Sequence, residues 1–563
     1  MSYDYIVVGT GAGGSVLADR LSEDGKYSVL VLEAGGSDRH PMNLVPKGFY
    51  FTMQDPKITK RYDTEPFGDG TVEVWQRGQV TGGSTTINGL VWNRGSAATY
   101  DAWEAAGLTG WNFQRFVDAW KQIEKHDLGG NAFRGGKGAV DVEVAEADNE
   151  VSPAFMQAAA DNGISIVEDM NSTGDDRVAI VASNTRRGLR RSAASTFLRR
   201  ARRRRNVTVL NHAEATRVLL SGGRAIGVEA EIDGRLEHFL AGREVMVCGG
   251  TLESPMLLER SGIGDPEVLR AAGVEPQVNS PRVGTNLSEH RGIMFQYRFD
   301  GKVGFNHQLN SSIKQLVSGA KFLLNRKGVI SVGGYDVLGM FRSDPDSADV
   351  DTQLFFTPIS TAGSNPLDGT MKVDSFSGAM LIAYPVNPTS RGSIHITGPR
   401  PSDPPSVVPN YLSTDHDREL LLKIVDKVGQ IVDSPQLREL GIKQLQPEPA
   451  EISTDNQILD YAVNKGAAGY HTLGTCRIGS DPEDVVDERL RVRGVDGLRV
   501  VDASVFPEQP SGNNAAPTMA AAWIAADMIL DDARSEKTDH LVNDVPGEGA
   551  VAPGPAVSAE QEK

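Results

Sequence analysis

Residues 3–36 read YDYIVVGTGAGGSVLADRLSEDGKYSVLVLEAGG. An apolar run at 5–8 meets a cluster of glycines. A segment follows whose Val16, Leu17 and Leu21 share one helical face, and 28–32 form a second apolar run. The predicted order is strand, tight turn, helix, strand. Gly9, Gly11 and Gly14 make GxGxxG at that turn. Gly9 permits the turn, Gly11 lets backbone approach a pyrophosphate beside Ala12, and Gly14 allows close helix packing. The helix N-terminus then directs N–H groups at phosphate charge. Glu33 ends the second strand, where its carboxylate can accept from ribose hydroxyls and disfavour a 2′-phosphate. This unit predicts dinucleotide binding without choosing between FAD and NAD.

The rest of the chain bounds what that unit serves. Its 563 residues exceed one hydrophobic core, so two domains are expected. With 39% hydrophobic and 23% charged residues the composition is that of a folded protein. A formal charge of -17 argues against nucleic acid or an anionic membrane as the main partner, although local patches can differ. The opening MSYDYIVVG carries no basic leader and no apolar run is long enough to span a bilayer, so a cytoplasmic protein is expected. Cys248 and Cys476 are expected to be buried free thiols. No HExxH, acidic cluster or cysteine set points to a metal. The basic run RRGLRRSAASTFLRRARRRRN, 186–206, is expected to be a solvated helix end.

Distant segments decide the cofactor. WQRGQVTGGSTTINGLVWNRG, 75–95, can lay glycine backbone against a flat ring, or simply cap a helix within a turn. EVMVCGG, 244–250, reads as a buried strand leading into a helix. LRVV, 498–501, enters a loop rich in Pro and Asn before a long apolar helix starting near Pro517 or Thr518. Strand-like runs in 341–397 suggest a second sheet.

These segments, with YDAWEAAGLTGW at 100–111, VCGGTLESPMLLERSGIG at 247–264, PRVGTNLSEH at 281–290, YHTLGTCRIG at 470–479 and GLRVVDASVFPEQPSGNNAAPT at 497–518, resemble the glucose-methanol-choline (GMC) oxidoreductases. The resemblance covers most of 1–532 and implies an α/β fold: an FAD-binding Rossmann-like domain with an interleaved α+β substrate domain built on an antiparallel sheet. The implied division is 1–160, 191–295 and 465–532 for the FAD-binding domain, 161–190 as a substrate-domain segment or linker, 296–464 for the substrate domain, and 533–563 as a disordered tail. It further implies that Arg77, Gly82, Gly83, Ser84, Asn88 and Asn93 run along the pyrophosphate to the isoalloxazine. Val218, or Ala215 near it, falls at the adenine, and Asp502, Ala503 and Asn513 fall near the middle and flavin end. Some members attach flavin through a histidine in the glycine-loop block; that place is Ile87 here, so noncovalent FAD is expected.

His471 matches the family's active-site histidine, and imidazole suits removal of an alcohol's hydroxyl proton as its carbon gives up hydride. Many members pair that histidine with a polar residue on the loop before the last helix. Counting back from Pro517 puts Ala515 at that place, so Asn514 is the candidate catalytic partner. Asn513 and Asn514 could equally cap the helix. FFTPIS, 355–360, and AYPVNP, 383–388, suggest an apolar pocket for an aromatic or medium-sized primary alcohol, or else sheet core. Oxygen or another acceptor would take the electrons, and a homo-oligomer stays open. A hydroxynitrile lyase of the same family, retaining FAD without net redox change, is the alternative.

Overall fold

A computed structural model of the protein describes residues 2–146, 148–363 and 372–543. Its architecture is α/β: a Rossmann-like layer and a separate mixed sheet. In the first, Val207–Asn211, Val29–Glu33, Ser2–Val8, Arg235–Val247 and Leu498–Val500 lie side by side in parallel. Ala213–Ser221 and Arg224–Ile232 join as an antiparallel meander on the first half of Arg235–Val247. The central strands are buried on both faces, as runs such as VLVLE require.

The helix Ala12–Leu21 packs on this sheet and against the final helix, Ala515–Asn543, where Arg20 pairs with Asp527 at 2.7 Å and lies over the Trp523 ring. Gly9 has φ of +101°, and a Cβ at Gly14 would sit 2.0 Å from the Gly9 carbonyl oxygen. Strand, turn and helix therefore meet at van der Waals distance only because glycine occupies both places.

The final helix corrects one expectation. It continues past residue 532, so 533–543 are helical; the rest of the expected tail, 544–563, lies outside the described residues. Asp532 is held there by Arg489, Arg491 and Arg499 at 2.6–2.7 Å, and Ala533 is buried. Low apolar content concealed a helix anchored by charge.

The second sheet runs Lys443–Gln446, Arg291–Arg298, Gly378–Pro385, Thr352–Thr357, Val337–Phe341, Arg177–Ile180 and Ser165–Ile166, antiparallel but for its last pair. One face, with Phe295, Leu354, Phe356 and Leu381, packs on Val151–Asp161, Asp415–Val432 and Asp455–Lys465. Each such fully buried side chain contributes about 1.5–3 kcal/mol, and Phe155 stacks on Phe356 with centroids 4.1 Å apart. The other face, with Met294, Phe355, Met380, Ile382 and Tyr384, turns toward the first sheet. Neighbours in FF and in LIAY thus point opposite ways.

The basic run is solvated at its helix end, where Arg199, Arg200, Arg202, Arg203 and Arg205 are exposed around Arg199–Ala201, while three other members are tied into the fold. Arg190 is buried and donates to the carbonyls of Pro46 and Asn88. Arg191 pairs with Asp141 at 3.0 Å, and Arg204 with Asp19 at 2.8 Å.

Candidate active site

A cavity of about 800 Å³ lies between the two sheets. Its wall on the first sheet includes Gly9, Gly11, Ala12, Glu33, Gly83, Ser84, Ala215, Asp502 and Ala503; on the second it includes Met294, Phe355, Met380, Ile382 and Tyr384. His471, Asn513, Asn514 and Ala515 line it as well, and His471 is its one histidine.

The glycine turn presents open backbone: a Cβ at Gly11 would meet no atom within 4 Å, whereas one at Gly83 would press on the Gly11 Cα at 3.1 Å. Glu33 is buried, which pushes its carboxyl up, while Thr10 donates its backbone N–H and hydroxyl to Oε2 and Gly35 N donates to Oε1. Asp502 holds the start of the helix Gly250–Arg260, its Oδ2 accepting from Gly250 N at 2.8 Å and Ser254 Oγ at 2.6 Å. Arg77 lines the cavity and donates to Thr472 Oγ1 at 2.8 Å. Asn88 also lines it, its Oδ1 held by Arg190 at 2.9 Å. Gly14, Gly82, Asn93 and Val218 do not line the cavity, whereas Ala215, three residues before Val218 on the strand Ala213–Ser221, does. Asn93 accepts from Gly95 N, shaping its own turn.

The histidine end is a hydrogen-bonded relay built from distant segments. His290 Nε2 lies 3.2 Å from the Val386 carbonyl oxygen, His290 Nδ1 lies 3.0 Å from His471 Nδ1, and Asn513 Nδ2 lies 2.8 Å from His471 Nε2. A carbonyl only accepts, so His290 Nε2 carries the proton. Burial holds His290 down at about 4 and His471 well below its ordinary value, so both rings are neutral. The His290 Nδ1 lone pair therefore accepts from His471 Nδ1–H, leaving His471 Nε2 as a bare acceptor. From the other side Tyr384 donates to Gln353 Oε1 at 3.0 Å and Gln353 donates to Asn513 Oδ1 at 2.8 Å, which orients the Asn513 amide as a donor to His471.

Glu289 supports the relay from below. Its Oε1 accepts from the backbone N–H groups of His290 and His471 at 2.9 and 2.7 Å; its buried Oε2 has no hydrogen bond and lies 3.7 Å from Arg77. Burial raises its carboxyl to about 7 against the pull of Arg77. Glu289, His290 and His471 could also offer three metal-ligand atoms within 4.8 Å, but the imidazole pair and the two amides already engage most of them.

The loop places the two asparagines differently from the residue count. Asn513 meets the imidazole, whereas Asn514 donates to the Thr472 carbonyl at 3.2 Å and its own carbonyl receives Thr518 N, opening the last helix. The relay members His290, Glu289 and Gln353 were not among the expected site residues, and Tyr384 was expected only as part of the pocket stretch AYPVNP. The run SEH at 288–290, inside a family-like block, was the signal for Glu289 and His290.

The two ends of this cavity define a class, a Rossmann-type flavoprotein oxidoreductase. The chain belongs to the GMC oxidoreductase family, whose N-terminal model matches residues 3–291 and whose C-terminal model matches 388–522. It is 35% identical to an oxygen-dependent choline dehydrogenase of Vibrio vulnificus (strain YJ016), with 94% of each chain covered, and 33% identical to a mitochondrial choline dehydrogenase of Mus musculus, with 94% and 89% covered. Among solved structures, pyridoxine 4-oxidase from Mesorbium loti superposes with a TM-score of 0.81 at 28% identity, covering 93% of this chain and 98% of that one. The protein is an FAD-dependent oxidoreductase. The residues present fit FAD: open backbone at Gly11, a helix N-terminus behind it and an acidic strand end at Glu33. No helix among the described residues is long and apolar enough to cross a membrane.

Proposed function

We propose that the enzyme oxidises a neutral primary alcohol, aromatic or of medium size, with His471 Nε2 taking the hydroxyl proton. The observation that carries this reading is the relay from the Val386 carbonyl through His290, which leaves the His471 lone pair at the cavity. Bound FAD supplies the hydride acceptor. Gly9, Gly11, Ala12 and Gly83 would receive its pyrophosphate, Glu33 its ribose, Ala215 its adenine side, and Ser84, Asn88, Asp502 and Ala503 its middle and flavin end. Gly14, Gly82, Asn93 and Val218 would shape that wall from behind. Ile87, packed with Ile58 and Val80, offers no nucleophile, which supports noncovalent attachment.

When an alcohol hydroxyl takes the place of the Asn513 amide at Nε2, the amide becomes a donor for the developing alkoxide. Proton capture makes His471 cationic, and ionised Glu289 beneath its backbone offsets that charge. Asn514 holds the Thr472 segment in place and so positions His471.

The substrate preference rests on the second-sheet wall. Met294, Tyr335, Phe355, Met380 and Ile382 are apolar in body, and Tyr335 stacks on Phe355 at 4.3 Å. Choline, named in the relatives, carries a quaternary ammonium; Glu73, an acid on the same cavity, is already held by Arg291 at 3.1 Å. This favours a neutral alcohol. An anaerobic substrate screen tests the reading: flavin absorbance is expected to bleach faster with benzyl alcohol than with choline. Cyanohydrin cleavage with no bleaching by any alcohol would replace it with the lyase reading.

A further inference from the structure

The helix Ser312–Asn325, SIKQLVSGAKFLLN, is turned inside out. Only Phe322 is buried, while Ile313, Leu316, Leu323 and Leu324 are 73–87% exposed and Val317 is 49% exposed. At helical spacing these five and Ala320 fall within about 120° of arc, opposite Phe322. Lys314 and Lys321 border that stripe on one side, where their stems can lie along apolar surface with the charges outward.

The charge along this stretch of chain runs against that of the whole sequence. From 301 to 335 there is no Asp or Glu, while Lys302, Lys314, Lys321, Arg326 and Lys327 occur there, in a chain whose formal charge is -17. An apolar stripe rimmed with cations is complementary to an anionic bilayer: the leucines enter the headgroup boundary and the lysines meet lipid phosphates. A second copy of the chain fits less well, because symmetric pairing would bring the same cations face to face.

We infer that Ser312–Asn325 is a membrane-surface helix that docks the folded enzyme, without spanning, on bilayers containing anionic lipid. The chain passes from Arg326 through the turn Val329–Ser331 to Gly333 and Gly334, whose carbonyls receive Lys47, and then to Tyr335 on the cavity wall. Docking therefore anchors the enzyme through an element that ends ten residues before that wall in sequence, a placement suited to alcohols that partition into lipid.

Vesicle flotation of the FAD-loaded enzyme tests this. With phosphatidylcholine–phosphatidylglycerol vesicles at low salt, the protein is expected to float. Bound fraction should fall tenfold or more with phosphatidylcholine alone, in Leu316→Gln/Leu323→Gln/Leu324→Gln, and in Lys314→Gln/Lys321→Gln, with flavin content and turnover of a soluble alcohol unchanged. Failure of the parent enzyme to float, or flotation unaffected by the leucine substitutions, overturns the inference. So does light scattering that finds a dimer in the parent and a monomer in the leucine variant, because the stripe would then be a subunit interface.

Discussion

The glycine turn at 9–14 and the histidine relay at 471 face one cavity but are built in opposite ways. The first is local: strand, turn, helix and Glu33 follow within 33 residues, each stabilised by its neighbours in sequence. The second gathers His290, Gln353, Tyr384, Val386, His471 and Asn513 from five strands and loops of both sheets. A local device can be broken by one clash; a relay can be dismantled one bond at a time. Substitutions at the two should therefore separate cofactor binding from rate.

The largest separation is expected at His471. His471→Ala should lower anaerobic flavin reduction by about 10³-fold, the scale of a lost general base, while FAD content stays near that of the parent. Reduction at the parental rate would remove His471 from the chemistry. Gly14→Val should do the converse. Its Cβ would meet the Gly9 carbonyl and the Cys248 Cβ at 3.2 Å, so purified protein should retain less than a tenth of its FAD by absorbance. Full retention would show that the turn has room that its geometry denies.

His290 is a positioning residue, because it reaches the reaction only through His471. His290→Phe should cost roughly ten- to a hundredfold in kcat with KM little changed, since the His471 imidazole loses the acceptor that fixes its tautomer. An equal loss in KM would mean a change of cavity shape instead. Next in size, Asn513→Ala should slow flavin reduction about tenfold, whereas Asn514→Ala should lower Tm by a few degrees with a smaller effect on rate. The reverse pattern would restore Asn514 as the partner.

That last pair marks where sequence reading stopped. The glycine fingerprint, Glu33 and the two-sheet plan were legible because their signals are short-range: period, turn residues and strand ends. Counting along PSGNNAAPT could not tell which amide meets His471, because Ser511 at φ +58° and Gly512 at +137° twist the loop between count and direction. The second sheet hid its cavity face for another reason. With both faces buried, Phe355 and Phe356 carry the same signal although one lines the cavity and the other meets Phe155. His290 lay 181 residues from His471, beyond any periodicity. The outward helix was not read from the sequence, since an amphipathic pattern leaves open which side faces the core.

The smallest expected effect concerns Glu289, where the relay becomes sensitive to pH. His471 is held well below its ordinary value, so it stays a neutral base across the neutral range and its own titration falls lower. Glu289 sits near 7, so it is ionised above that pH and protonated below. Its charge favours the imidazolium formed on proton capture, and flavin reduction should therefore slow a few-fold as pH drops through about 7. Glu289→Gln keeps an acceptor for the two backbone N–H groups but cannot ionise. It should hold the slower rate at every pH and lose that limb. Stability moves with the opposite sign. A carboxyl raised from 4.5 to about 7 on folding binds its proton more tightly in the folded state, so stability falls as pH rises between those values. The Tm of the parent relative to Glu289→Gln should thus decline from pH 5 to pH 8, while its rate advantage grows. If rate and Tm differences moved together, the buried carboxylate would be a structural support alone, and the pH dependence of reduction would belong to another group.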